Sequence, residues 1–166
     1  MNQDQIHHVK SIIEKVRIFH GLTIAEARQL IKLCRPQSFE KDEVIYEYGT
    51  PSTDIFIVLQ GKLVAINEKG TRLGEILAGS TTGEMGALTG CVRSATVIAE
   101  EASRGFVIEA AHLRTLMRID SEFRIKILEN IVSLLSDRVM GANVQIENYA
   151  HQNKDQTSVK IVHPVR

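Results

Sequence analysis

Two charged residues of opposite sign, Glu84 and Arg93, flank a short turn in the stretch GEMGALTGCVRSATV. The first amides of a helix have no internal partner, and the macrodipole is positive there. A helix opening at Gly83-Glu84-Met85-Gly86 would therefore offer donors to an anion, with Gly83 and Gly86 letting the backbone come close to it. Arg93, returning after the Thr89-Gly90 turn, can set a planar guanidinium beside the same anion and bond two of its oxygens, while Ser94 adds a hydroxyl donor. A carboxylate repels a phosphate, so Glu84 belongs in such a site only if the ligand also presents hydroxyl donors, as a ribose does. The set points to a sugar phosphate of low charge. A triphosphate would need a lysine-bearing loop, and no Gly-x-x-x-x-Gly-Lys-Ser/Thr pattern occurs.

The same residues admit a plainer reading. Thr81-Thr82-Gly83-Glu84 fits a capping box, in which Glu84 caps its own helix and Arg93 is a surface cation.

Other chemistries find little support. All six histidines lie outside Gly21 to Ala111, so the strand region carries neither the ligands of a metal-dependent barrel enzyme nor a Ser-His or Cys-His pair. No catalytic residue, metal site or cofactor is expected. His7 and His8 are adjacent, and on a helix they point in different directions. Cys34 and Cys91 belong to no Cys-x-x-Cys pair, which predicts reduced thiols. The 20 basic and 20 acidic residues cancel, leaving no excess to hold a nucleic-acid backbone or an anionic membrane. The polar start MNQDQIHHVK lacks a signal-peptide core and no apolar run has the length of a membrane span. A soluble, cytoplasmic protein is expected, without a direct nucleic-acid or membrane partner.

The positioning elements follow from the periodicity. Ile6, Val9, Ile12, Ile13 and Val16 predict an amphipathic helix, and Thr23 with Glu26 predicts the capping box of a second, continued by Ala27, Leu30, Ile31 and Leu33 and stopped by Pro36. From Phe39 to Glu109 the chain reads as short β-branched and aromatic strands: EVIYEYG, DIFIVLQ, GKLVAIN, RLGEIL, SATVIAE and RGFVIE. That texture predicts a β-barrel or sandwich. After Ala110 a brief helix is followed by a long one from Ser121, on which Ile125, Leu128, Val132, Leu135, Val139, Ala142, Ile146 and Tyr149 step by three and four, as in a heptad seam. That seam predicts a homodimer. The last residues, 151–166, read as a flexible tail too short for a three-helix DNA reader.

On these residues the chain resembles the cyclic-nucleotide-binding domain family, represented by bacterial catabolite activator proteins and the regulatory subunits of cAMP-dependent protein kinase. The family's phosphate-binding cassette runs Gly-Glu, an apolar stretch, a short turn, Arg, a small residue and Ala-x-Val. Gly83-Glu84, Met85 to Leu88, Arg93, Ser94 and Ala95-Thr96-Val97 meet it in order. Gly49 and Asp54 before DIFIVLQ, Gly61, and Leu77-Ala78-Gly79 also stand where the family has them, and the likeness covers residues 19–149. Thr82 replaces an aromatic or apolar residue, and Cys91-Val92 replaces a pair ending in proline.

The resemblance implies an α+β jelly roll (double-stranded β-helix) over residues 1–150, with leading helices and a long C-terminal helix. It implies a regulatory module that binds cAMP in preference to cGMP and signals through that helix to a protein partner. Glu84 would accept from the ribose 2′-hydroxyl and Arg93 would pair with the phosphate. Gly83, Met85, Gly86, Ser94 and Ala95 would complete the cradle. In relatives the last helix covers the base, and Arg138, whose guanidinium can stack on a purine, is the residue chosen for that contact. The competing reading is a ligand-independent dimerisation or adaptor module of the same fold.

Overall fold

The computed structural model describes residues 3–157. Helix α1 (Gln3–Lys15) leads through a 3-10 turn (Arg17–Phe19) into α2 (Ile24–Lys32). Both halves of the expected capping box form at α2: Glu26 N donates to Thr23 Oγ1 (3.2 Å) and Thr23 N to Glu26 Oε2 (2.6 Å), satisfying two otherwise orphaned amides. Ile12 and Val16 are buried and Ile13 is half-buried, as the first helix's pattern requires.

Eight antiparallel strands follow: β1 (Cys34–Phe39), β2 (Val44–Tyr46), β3 (Asp54–Gln60), β4 (Lys62–Ile66), β5 (Arg72–Leu77), β6 (Thr81–Thr82), β7 (Thr96–Ala99) and β8 (Ser103–Glu109). They make two four-stranded sheets, ordered β1-β8-β3-β6 and β2-β7-β4-β5. Six of the eight match the strand runs read from the sequence. The expected barrel began only at Phe39, because Pro36 reads as a break, yet Pro36 lies within β1 opposite Phe106. β1 is an edge strand, where a missing N–H is tolerated on the open side.

β3 explains why DIFIVLQ is apolar without alternation: it is buried on both faces. Ile55 and Ile57 join the core beneath the helices, with Phe19, Leu30, Ile108, Leu113 and Ile127, while Phe56 and Val58 point between the sheets toward Leu63, Ile76, Val97 and Ala99. Each such side chain, fully buried, contributes roughly 1.5–3 kcal/mol.

Between β6 and β7 lies α3 (Glu84–Thr89), and after β8 come α4 (Ala110–Ile119) and α5 (Ser121–Thr157). Helix α5 runs past the expected boundary at residue 150, and residues 158–166 of the expected tail lie outside the described residues. The helix carries two apolar stripes. Phe123, Ile127, Ile131 and Leu134 are buried against the domain. The heptad seam is the other stripe and is uncovered: Ile125 is 52%, Val132 61%, Val139 59% and Ile146 65% exposed, with Leu135 half-buried; the side chain of Tyr149 lies outside the described residues. Among the described residues no helix is long and apolar enough to cross a membrane.

Candidate functional site

The chain between β6 and α3 turns through Gly83, whose φ of 88° is costly for any residue with a Cβ. Space excludes a Cβ as well: it would collide with Arg93 Nη1 and lie 2.8 Å from the Asp54 carbonyl oxygen. Gly86 answers a different need. A Cβ there would sit 2.5 Å from the Cys91 carbonyl oxygen and from Ser52 Cβ, so its small size lets α3 pack on its own domain.

Arg93 is 5% exposed, which removes the surface-cation reading. Its Nη2 donates to Asp54 Oδ1 (2.5 Å), and its Nη1 donates to the carbonyls of Asp54 (2.9 Å) and Gly83 (3.2 Å). Its Cζ lies 3.4 Å from the centroid of the Tyr46 ring, a cation–π contact of about 0.5–2 kcal/mol. Burial, and then the Asp54 carboxylate, push the Tyr46 phenol above its ordinary range, so the ring stays neutral beneath the guanidinium.

Glu84 is fully buried. It does not cap its own helix, whose N-cap Gly83 has no side chain to offer. Glu84 Oε1 accepts from Nη1 of Arg138, and Oε2 accepts from Thr81 Oγ1 (3.3 Å). Arg138 Nη2 donates to the Thr81 carbonyl. A buried carboxylate needs such donors, since an unpaired one is strongly disfavoured.

All eight residues named from the sequence, Gly83, Glu84, Met85, Gly86, Arg93, Ser94, Ala95 and Arg138, line one small cavity of about 50 Å³. Tyr46, Ser52, Thr82 and Val97 line it too. The sequence reading missed Tyr46 and Ser52, and it gave Asp54 no role at the site. Asp54 meets Arg93 across 39 residues, and no local spacing carries that signal. Thr82 and Arg138 also border a cleft of about 910 Å³ between β5 and α5.

Polar ties hold α5 in place. Lys126 Nζ lies 2.9 Å from both Glu26 oxygens, Asn130 Nδ2 donates to the carbonyls of Ile18 (3.1 Å) and His20 (2.8 Å), and Arg17 pairs with Asp137 at 2.7 Å. Burial opposes the Glu26 charge, but the bonds from Lys126 and from Thr23 outweigh it and hold this carboxyl below its ordinary range. Burial pushes the Cys34 thiol up to about 12, while Cys91 is exposed at the turn before Arg93. Among the described residues no group of His, Cys, Asp and Glu could hold a metal ion.

The geometry is a buried cation and a buried anion facing one cavity, closed on one side by the long helix. The family model for the cyclic nucleotide-binding domain matches residues 36–120, just over half of the 166. Human cyclic nucleotide-gated channel alpha-2 is 33% identical over 79 residues, 47% of this chain and 12% of that protein. Glutaminase 1 of Bradyrhizobium diazoefficiens is 26% identical over 140 residues, 84% of this chain and 23% of that protein. The chain thus spans under a quarter of the length of either curated relative. The crystal structure of a cyclic nucleotide-binding domain from Methylobacillus flagellatus has the same fold, with a TM-score of 0.76 at 22% identity, over 88% of this chain and 84% of that one.

Proposed function

The chain belongs to the cyclic nucleotide-binding domain family, and from that membership we propose that it is a non-catalytic regulatory module binding a 3′,5′-cyclic nucleotide, cAMP in preference to cGMP. Glu84 accepts from the ribose 2′-hydroxyl, Arg93 pairs with the phosphate, and the amides of Gly83, Met85, Gly86 and Ala95 with the Ser94 hydroxyl complete the cradle. The signal passes through α5 to a protein partner, from a homodimer joined along the α5 seam, in the cytoplasm. The observation that carries this reading is that Glu84 and Arg93, both almost wholly buried, face the same cavity as Arg138. A cyclic monophosphate bears one negative charge and its ribose one free hydroxyl, so a single arginine and a single carboxylate answer it.

Titration calorimetry with cAMP and cGMP tests it. Saturable binding of at least one, with cAMP tighter, is expected; no binding of either at high micromolar concentration overturns it. The same result would favour the second reading, a dimerisation or adaptor module without ligand. That reading draws on the small cavity and on the uncovered apolar stripe of α5.

A further inference from the structure

We propose that Arg138 is a gate that competes with the ligand for Glu84, so that ligand entry releases the far half of α5 instead of clamping it down. The ligand's identity in this inference rests on the nucleotide reading above; the tether itself does not.

The argument begins with space. Sites that enclose small ligands measure roughly 300–1,000 Å³, whereas the cavity between Glu84 and Arg93 holds about 50 Å³. Something in its wall must move to admit a nucleotide. Arg93 is pinned by Asp54, by two carbonyls and by Tyr46. Glu84 and Thr82 lie in a buried strand-to-helix corner. Arg138 alone comes from α5, on a long stem, with its side chain 35% exposed. It also borders the neighbouring cleft of about 910 Å³. Arg138 is therefore the partition between the two spaces, and swinging it aside joins them into one large enough for the ligand.

The exchange is chemically balanced. Arg138 gives up its bonds to Glu84 and to the Thr81 carbonyl, and regains water. The Glu84 carboxylate, which cannot stay buried without donors, receives the ribose hydroxyl in their place.

The effect on α5 follows from where Arg138 stands. The helix is anchored by its buried stripe only as far as Leu134, and every residue from Val139 to Glu147 is exposed. Beyond Leu134 the ties to the domain are Arg138 and the Arg17–Asp137 pair, whose side chains are 36% and 51% exposed; such a surface pair contributes little. Freeing Arg138 removes the main tether of this half and leaves the anchored half, with Lys126 and Asn130, in place.

The test uses the full chain and Arg138→Met, which keeps the stem and removes the charge. Without nucleotide, hydrogen exchange in Arg138→Met should quicken from Leu135 onward and stay unchanged between Phe123 and Ile131. Titrated with cAMP, this variant should bind about ten-fold tighter, as expected when a closed state populated in most molecules is abolished. Saturating cAMP should quicken exchange over the same residues in the wild-type protein. Unchanged exchange in the variant, equal or weaker cAMP binding by it, or slower exchange in the wild type on saturation each overturns the gate. If neither protein binds cAMP or cGMP, the nucleotide reading fails, and the exchange comparison alone decides the tether. Should Arg138→Met leave Glu84 so poorly satisfied that the fold suffers, Arg138→Lys, which drops the two-pronged geometry, serves the same comparison.

Discussion

Arg93 and Asp54, 39 residues apart in the chain, form a 2.5 Å ion pair in which the arginine is 5% and the aspartate 27% exposed. The pair points the guanidinium at the cavity and also joins the cassette to the start of β3, so one residue serves both ligand and fold.

Arg93→Ala is therefore expected to abolish measurable nucleotide binding, at a loss of roughly 2–5 kcal/mol for a buried charge partner. It should also destabilise the protein by about 1–3 kcal/mol, since Asp54 is left with partial access to water. Calorimetry and urea melts measure the two effects. Binding within about three-fold of wild type would mean that Arg93 is only structural.

Gly83→Ala forces a Cβ into a backbone with positive φ and against Arg93 Nη1. We expect a stability loss of about 1–3 kcal/mol together with weakened binding, because the collision displaces the arginine. An alanine variant with wild-type urea midpoint and affinity would refute the packing argument.

The two stripes of α5 should answer differently to substitution. Ile131→Ala, on the buried stripe, should cost about 2–4 kcal/mol of stability. Val132→Asp with Val139→Asp, on the uncovered stripe, should leave the unfolding midpoint of the monomer nearly unchanged and abolish self-association. Sedimentation equilibrium at tens of micromolar reads the association; a wild-type protein that is wholly monomeric there removes the seam as an interface.

The Glu26–Lys126 pair ties α5 to α2 and gives stability a pH dependence. The Glu26 carboxyl is held below its ordinary value of 4.5 in the folded protein, so the unfolded chain takes up its proton first. The stabilisation is fully present above the unfolded value and fades as pH falls through the folded one. Glu26→Gln should thus cost about 1 kcal/mol at pH 7 and nothing in acid below the folded value. A pH-independent difference in urea midpoint would show that the charge is not the source.

Much of this was legible in the chain itself. The capping box at Thr23 and Glu26, the strand runs and the cassette from Gly83 to Ala95 are local patterns, set by spacing along the backbone, and each forms where its residues predict. Pro36 misled because its meaning depends on whether the neighbouring strand needs the missing N–H, and only sheet order makes β1 an edge. The seam on α5 is a correct reading of periodicity, but a helix of 37 residues can hold two apolar stripes, and sequence does not say which one the domain covers. Ile127, Ile131 and Leu134 took that place because they face the core that β3, β8 and α4 build. The partners Asp54 for Arg93 and Arg138 for Glu84 lie 39 and 54 residues away. Sequence determined which groups the site contains; tertiary structure decided their pairing, because a buried charge takes whichever opposite charge the fold carries within reach.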